Sequence, residues 1–134
     1  MKVPVLGTGT STGIPTIGLK RESCLSSDKR DNRLRSSILI EYKSKSILID
    51  CGPDFRQQML RTNKTKIDAI FFTHEHADHT AGLDDVRPIS FQHGKIPIYA
   101  HQRVVENLKN RFDYLFDKKG DYPGSPHVYP NIIN

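Results

Sequence analysis

The run His74-Glu75-His76-Ala77-Asp78-His79 begins two residues after the apolar stretch Ala69-Ile70-Phe71-Phe72, and no other segment constrains the fold as much. A buried strand over Ile67 to Phe72 feeds this polar window. In extended chain, residues two apart emerge on the same side, so His74 and His76 can converge on one ion. Asp78 and His79 follow where the chain turns into a helix, and that bend can direct both toward a neighbouring ion. Imidazole and carboxylate are ligands that zinc, manganese or iron accept. Two ions about 3.5–4 Å apart can clamp the attacking and leaving oxygens of a displacement. The alternative is a histidine-rich polar turn that holds no ion. On this geometry Glu75 and Ala77 point away, with Glu75 exposed to solvent or supporting a ligand.

The chain of 134 residues fits one domain with room for a real core. No apolar stretch is long enough to cross a bilayer, and Val3 to Leu6 is too short for a signal-peptide core. The sequence therefore suggests no membrane partner, and the cytoplasm is the default compartment. Cys24 and Cys51 do not make a disulfide framework, which agrees with a reducing environment. The formal charge of +5 suits an anionic substrate, a phosphodiester or an RNA backbone. Its basic residues gather at Lys20-Arg21, Lys29 to Arg35, Lys43 to Lys45, Lys64 to Lys66 and Lys118-Lys119. Each cluster taken singly reads first as solvated surface. No aromatic interleaving marks a base-stacking platform.

Periodicity predicts strands at Lys2 to Leu6, Ser37 to Tyr42, Ile47 to Ile49, Ile67 to Phe72 and Ile96 to Ala100. A glycine-rich loop, Gly7 to Pro15, follows the first strand, and residues 18 to 33 are polar and irregular. Helices are expected from near Pro53 with Phe55, Met59 and Leu60 on one face, from Thr80 to Ile89 closing near Pro88, and from Gln102 to Phe112 with Val104, Val105, Leu108 and Phe112 inward. The tail from Lys118 through Pro130 is turn-rich. Strands alternating with helices after an opening hairpin argue for a layered α/β arrangement, with the polar loops after the strands as its site.

Asp50 closes an apolar strand. It is either a support that accepts a hydrogen bond from a ligand imidazole or from the histidine loop, or a turn-capping residue before Gly52. Cys51 reads as a buried small hydrophobe. His93, His101 and His127 lack ligand-like spacing and read as surface or loop histidines. The Gly7-x-Gly9-x-x-x-Gly13 spacing misses the dinucleotide fingerprint by one residue, and no clear helix follows it.

Set after its strand, the histidine window resembles that of the metallo-β-lactamase fold superfamily, and the resemblance extends over nearly the whole chain. Gly7 to Ser11, Gly13-Ile14-Pro15, Leu34 to Ser37, Ile49 to Asp54 and Gly82-Leu83-Asp84-Asp85-Val86-Arg87-Pro88 are similar to the branch of phosphodiesterases like phosphoribosyl cyclic phosphate hydrolase. Transfer RNA 3′-processing endonucleases share a similar start and Asp-Cys-Gly turn.

The resemblance implies an αββα sandwich, of which residues 1–134 would form a single incomplete domain, the N-terminal half. It places His74 and His76 at a first metal, Asp78 and His79 at a second, and Asp50 beneath the metal loop. Asp78 is then also a catalytic residue. The implied cofactor is zinc or manganese, up to two ions if the site is completed, with an activated hydroxide attacking a small phosphodiester. Two departures stand out. Leu19 and Arg21 replace two cysteines of a structural zinc site found in many members of the branch, so that site is expected to be absent. The family's remaining ligands come from a C-terminal half, and His127 falls too early to replace one. A half domain would expose its apolar sheet face and associate, as a homo-oligomer or with the missing half. The alternatives to a phosphodiesterase are an incomplete half that binds metal or associates without turnover, and a transfer RNA endonuclease.

Overall fold

A computed structural model describes residues 1–116 and 124–134; the Lys118-Lys119 cluster and the tail as far as Pro123 lie outside the described residues. Six strands form one sheet in sequence order: β1 (Val5–Gly7), β2 (Ser37–Tyr42), β3 (Lys45–Ile49), β4 (Ala69–Phe71), β5 (Ile96–Ala100) and β6 (Val128–Ile132). The first three strands pair antiparallel, and β3 through β6 run parallel. The eight-residue helix α2 (Phe55–Thr62) crosses from β3 to β4. Between β4 and β5 come α3 (Ala77–Thr80), a 3-10 turn at Leu83–Val86 and α4 (Arg87–His93); α5 (Gln102–Arg111) and α6 (Asp113–Phe116) follow β5. A short α1 (Glu22–Leu25) sits in the first long loop. No helix among the described residues is long and apolar enough to cross a membrane.

Alternation along the strands separates two faces. Leu39 pairs with Leu48, Leu48 with Ile70, and Ile70 with Ile98 in consecutive register, and all four are fully buried. This row forms the floor of a core shared with Phe55 and Met59 of α2 and with Val104, Val105 and Leu108 of α5. Each such aliphatic side chain contributes about 2 kcal/mol on leaving water. The other face carries Ile38, Ile40, Ile47 and Ile49, and Phe71 stacked on Tyr99 at 4.7 Å between ring centroids. These residues are only half-buried. One face of the sheet is thus sealed by helices, while the other is apolar and uncovered by any described element.

Three expectations need correction. The opening strand is Val5–Gly7, shifted by irregular pairing with β2, while Lys2 makes only an isolated bridge to Glu41. The helix expected over Thr80 to Ile89 is broken into α3, the 3-10 turn and α4. The amide of Gly82 bonds to the Cys51 carbonyl at 2.9 Å, pulling the chain toward the end of β3. Pro88 sits in the first turn of α4, where a missing N–H costs nothing, instead of closing a helix. The turn-rich tail also contributes the edge strand β6, with Pro130 inside it; an edge strand tolerates the lost donor.

At the start of β4, Asp68 accepts from the Ser46 amide at 2.9 Å and from Lys45 and Lys66 at 3.0 Å each. Burial by itself would raise its pKa. The amide and the two ammonium groups outweigh it and lower the value from 3.8 to about 2. The unfolded chain therefore takes up this proton first as pH falls, so the stabilisation is fully present above about pH 4 and is lost between about pH 4 and pH 2. Asp68→Asn is expected to cost about 2 kcal/mol at pH 7 and much less at pH 2.5. Urea titrations at the two pH values check this; an equal cost at both would contradict it.

Candidate metal centre

Strand β3 ends in a residue whose backbone is left-handed without being glycine: Asp50 has φ of 60°. Asp accepts this conformation more readily than most residues. The strand end is pinned on both sides. The Asp50 amide donates to the Phe71 carbonyl at 2.8 Å, and the buried Ser37 hydroxyl donates to the carbonyls of Ile49 and Asp50 at 3.0 and 2.9 Å. The Asp50 carboxylate is consequently buried and aimed at the loop after β4. Its Oδ1 accepts from the Thr73 amide at 2.8 Å. Its Oδ2 accepts from the Thr73 hydroxyl at 2.8 Å and lies 2.7 Å from His79 Nδ1. Of the two readings of Asp50, the support of the histidine loop is the one these bonds describe.

The same bonds assign two tautomers. A carboxylate only accepts, so His79 Nδ1 carries a proton. Thr73 spends its single hydroxyl proton on Asp50, so His74 Nδ1, 2.9 Å from Thr73 Oγ1, must be the donor of that contact. In the neutral imidazoles the Nε2 lone pairs of both His74 and His79 are left free. Their rings lie 4.1 Å apart between centroids, and His76 approaches His74 to 4.6 Å. Asp78 Oδ2 is 3.2 Å from His79 Nε2. With His79 neutral, these are two acceptors facing each other, an arrangement that a second proton or a cation between them relieves.

The turn that gathers them follows from local chemistry. His76 is the extended residue preceding α3, and the His79 amide closes the first turn on the His76 carbonyl at 3.0 Å. The Cys51 amide donates to the His79 carbonyl at 2.8 Å, stitching the end of β3 to α3. Gly52 makes that approach feasible, because a Cβ there would lie 2.0 Å from the Asp78 carbonyl oxygen. Cys51 is fully buried, and burial pushes its thiol pKa well up, so it behaves as a small hydrophobe.

His74, His76, Asp78, His79 and Asp50 are therefore brought together at one end of β3 and β4. Among the described residues, no three His, Cys, Asp or Glu side chains are already arranged to hold an ion. Glu75 does turn away, its carboxylate 3.2 Å from Arg103 on α5. His101 caps α5 by accepting from the Arg103 amide at 3.2 Å, and His127 packs on Phe91. Sequence reasoning missed Thr73, whose hydroxyl links Asp50 to His74. Its place between the strand and the first histidine was the available signal.

A mixed sheet packed with helices, its polar cluster lying beyond the ends of β3 and β4, is the arrangement of the metallo-β-lactamase fold. The pattern of the β-lactamase superfamily domain matches residues 45–131, and the chain belongs to that superfamily. A crystal structure of a diphosphatase from the PhnP family is 44% identical, with a TM-score of 0.87 over 98% of this chain and 50% of that one. An octanoyltransferase of Porphyromonas gingivalis is 46% identical over 127 residues, 94% of this chain and 25% of that protein. A ribonuclease Z of Methanococcus maripaludis is 31% identical over 132 residues, 95% of this chain and 37% of that protein. The chain thus spans half or less of the length of these relatives.

Proposed function

We propose that the chain carries part of the metal centre of a phosphodiester-cleaving hydrolase. The observation that supports it best is the pair of free Nε2 atoms on His74 and His79, fixed by Asp50 and Thr73 beside the Asp78 carboxylate. His74, His76, Asp78 and His79 would hold one or two divalent ions, zinc or manganese. Such an ion, when bound, supplies charge stabilisation for a phosphoryl oxygen and lowers the pKa of water. The chain's own part is to keep two imidazoles in the tautomer that presents Nε2, and to keep a carboxylate within reach. The diphosphatase and ribonuclease Z relatives both make a phosphoryl centre the natural target. The octanoyltransferase name describes a protein three-quarters of which lies outside the match.

Residues 1–134 are read as one layer pair of a sandwich, in which a second sheet, on the same chain or on a second copy, covers the free apolar face. A bare face of Ile38, Ile40, Ile47, Ile49, Phe71 and Tyr99 supports this.

The test is metal content together with hydrolysis of bis(p-nitrophenyl) phosphate with Mn²⁺ or Zn²⁺. Asp78→Ala and His76→Ala are each expected to lower turnover by at least about a hundredfold and to reduce bound metal. Metal binding without hydrolysis would leave only an incomplete half that binds ions; absence of metal binding would end the reading. A second reading keeps the chemistry and makes transfer RNA the substrate, favoured by the ribonuclease Z relatives and the charge of +5. It requires RNA binding that weakens steeply with salt.

A further inference from the structure

The histidine loop is held from inside the fold by Asp50 and from outside by α5. Arg111, exposed in the last turn of α5, donates from Nη1 to the Glu75 carbonyl at 3.3 Å and to the Thr80 hydroxyl at 2.8 Å. Thr80 has no exposed surface, and its hydroxyl donates to the His76 carbonyl at 2.9 Å. One guanidinium therefore restrains two successive peptide planes, those that follow Glu75 and His76. His76 is the residue between these planes, so turning either one swings its imidazole. Arg103, two turns earlier on α5, reaches only the Glu75 carboxylate, and its side chain is 68% exposed.

We infer that Arg111 is a positioning residue for the candidate metal loop, acting through Thr80 and the carbonyls of Glu75 and His76 to keep His76 beside His74. The inference rests on reading these histidines as ligands, although the restraint itself belongs to the chain without any ion. Two features suit arginine to the task. Both bonds leave one nitrogen, Nη1, whose two N–H directions are fixed in the guanidinium plane, where the lysine ammonium rotates freely at the end of a flexible stem. A cation at the end of α5 also meets the negative end of the helix dipole.

The test compares Arg111→Ala, Arg111→Lys and Arg103→Ala with the unaltered full chain. Amide hydrogen exchange is read at residues 75–80 without metal, and affinity and the visible spectrum are read with Co²⁺. Arg111→Ala is expected to exchange several-fold faster at residues 75–80 while the sheet is unchanged, and to bind Co²⁺ about tenfold more weakly with an altered spectrum. Arg111→Lys recovers part of both effects, and Arg103→Ala stays within about twofold of the parent chain. Unchanged exchange at residues 75–80 in Arg111→Ala overturns the inference, as does a rise spread evenly over the sheet. A parent chain that binds no Co²⁺, with exchange still faster in Arg111→Ala, ends the ligand reading and leaves the positioning intact. Arg111→Gln, which keeps one amide donor, carries the same comparison if the alanine variant does not fold.

Discussion

Replacing Asp50 with alanine is expected to lower stability by about 3–5 kcal/mol and to weaken metal binding by about a hundredfold. Asp50 is 5% exposed, and its carboxylate serves three donors: the Thr73 amide and hydroxyl, each at 2.8 Å, and His79 Nδ1 at 2.7 Å. Removing it leaves all three partly buried donors without their acceptor, at up to about 1–3 kcal/mol for each group left unpaired. Alanine would also have to adopt the φ of 60°, which adds about 1 kcal/mol. With Asp50 gone, nothing fixes the His79 proton on Nδ1, and Thr73 is free to donate to His74 instead. Both imidazoles then lose the tautomer that presents Nε2. Asp50→Asn separates the two effects. Asparagine tolerates the left-handed backbone and keeps one carbonyl acceptor, so its stability loss should be smaller, about 1–2 kcal/mol. Its affinity loss should stay closer to that of alanine, because the carboxylate that holds the His79 ring by Nδ1 is gone. Urea denaturation and competition with a chromogenic chelator read the two quantities. An alanine variant within 1 kcal/mol of the parent, or with affinity within about threefold, would contradict the role given to Asp50.

The residues that were legible from sequence are those whose signal is local. Alternation in Ser37–Tyr42 and Ile96–Ala100, and the apolar face of α5, follow from periodicity within a single element. His74, His76, Asp78 and His79 were legible because their chemistry is concentrated in six residues. Asp50 was readable as an acid closing an apolar strand, either supporting the histidine loop or capping a turn, and the contact that separates the two lies 29 positions away. Elements shaped by distant contacts were not legible. The segment after Thr80 has helical spacing, yet the bond from Gly82 to Cys51 breaks it. β6 contains a proline and becomes a strand only by pairing with β5. Arg111 and Thr80 act on backbone carbonyls, which leaves no spacing for a sequence pattern to reveal.

The second large effect is expected at Gly52, where the only change is one methyl group. Gly52→Ala should destabilise the fold by more than about 3 kcal/mol and displace Asp78. A Cβ on residue 52 would sit 2.0 Å from the Asp78 carbonyl oxygen, whereas real Cβ contacts essentially never fall under 3.0 Å. The obstacle is backbone, so no rotamer change relieves it. Nor can α3 simply move off by an ångström, since the Cys51 amide holds the His79 carbonyl at 2.8 Å and the Gly82 amide holds the Cys51 carbonyl at 2.9 Å. Relief requires breaking one of these bonds or shifting the turn between β3 and α2, and either moves Asp78 and His79 relative to Asp50. Gly18→Ala provides the contrast. Its φ of +76° penalises alanine, yet a Cβ there meets nothing within 4 Å, so the cost should be about 1 kcal/mol with metal binding unchanged. If both variants lose the same small amount, the close seating of the β3 turn against α3 is not what fixes Asp78. If Gly52→Ala alone loses stability and metal binding together, a single backbone contact couples the fold's packing to its ligand geometry.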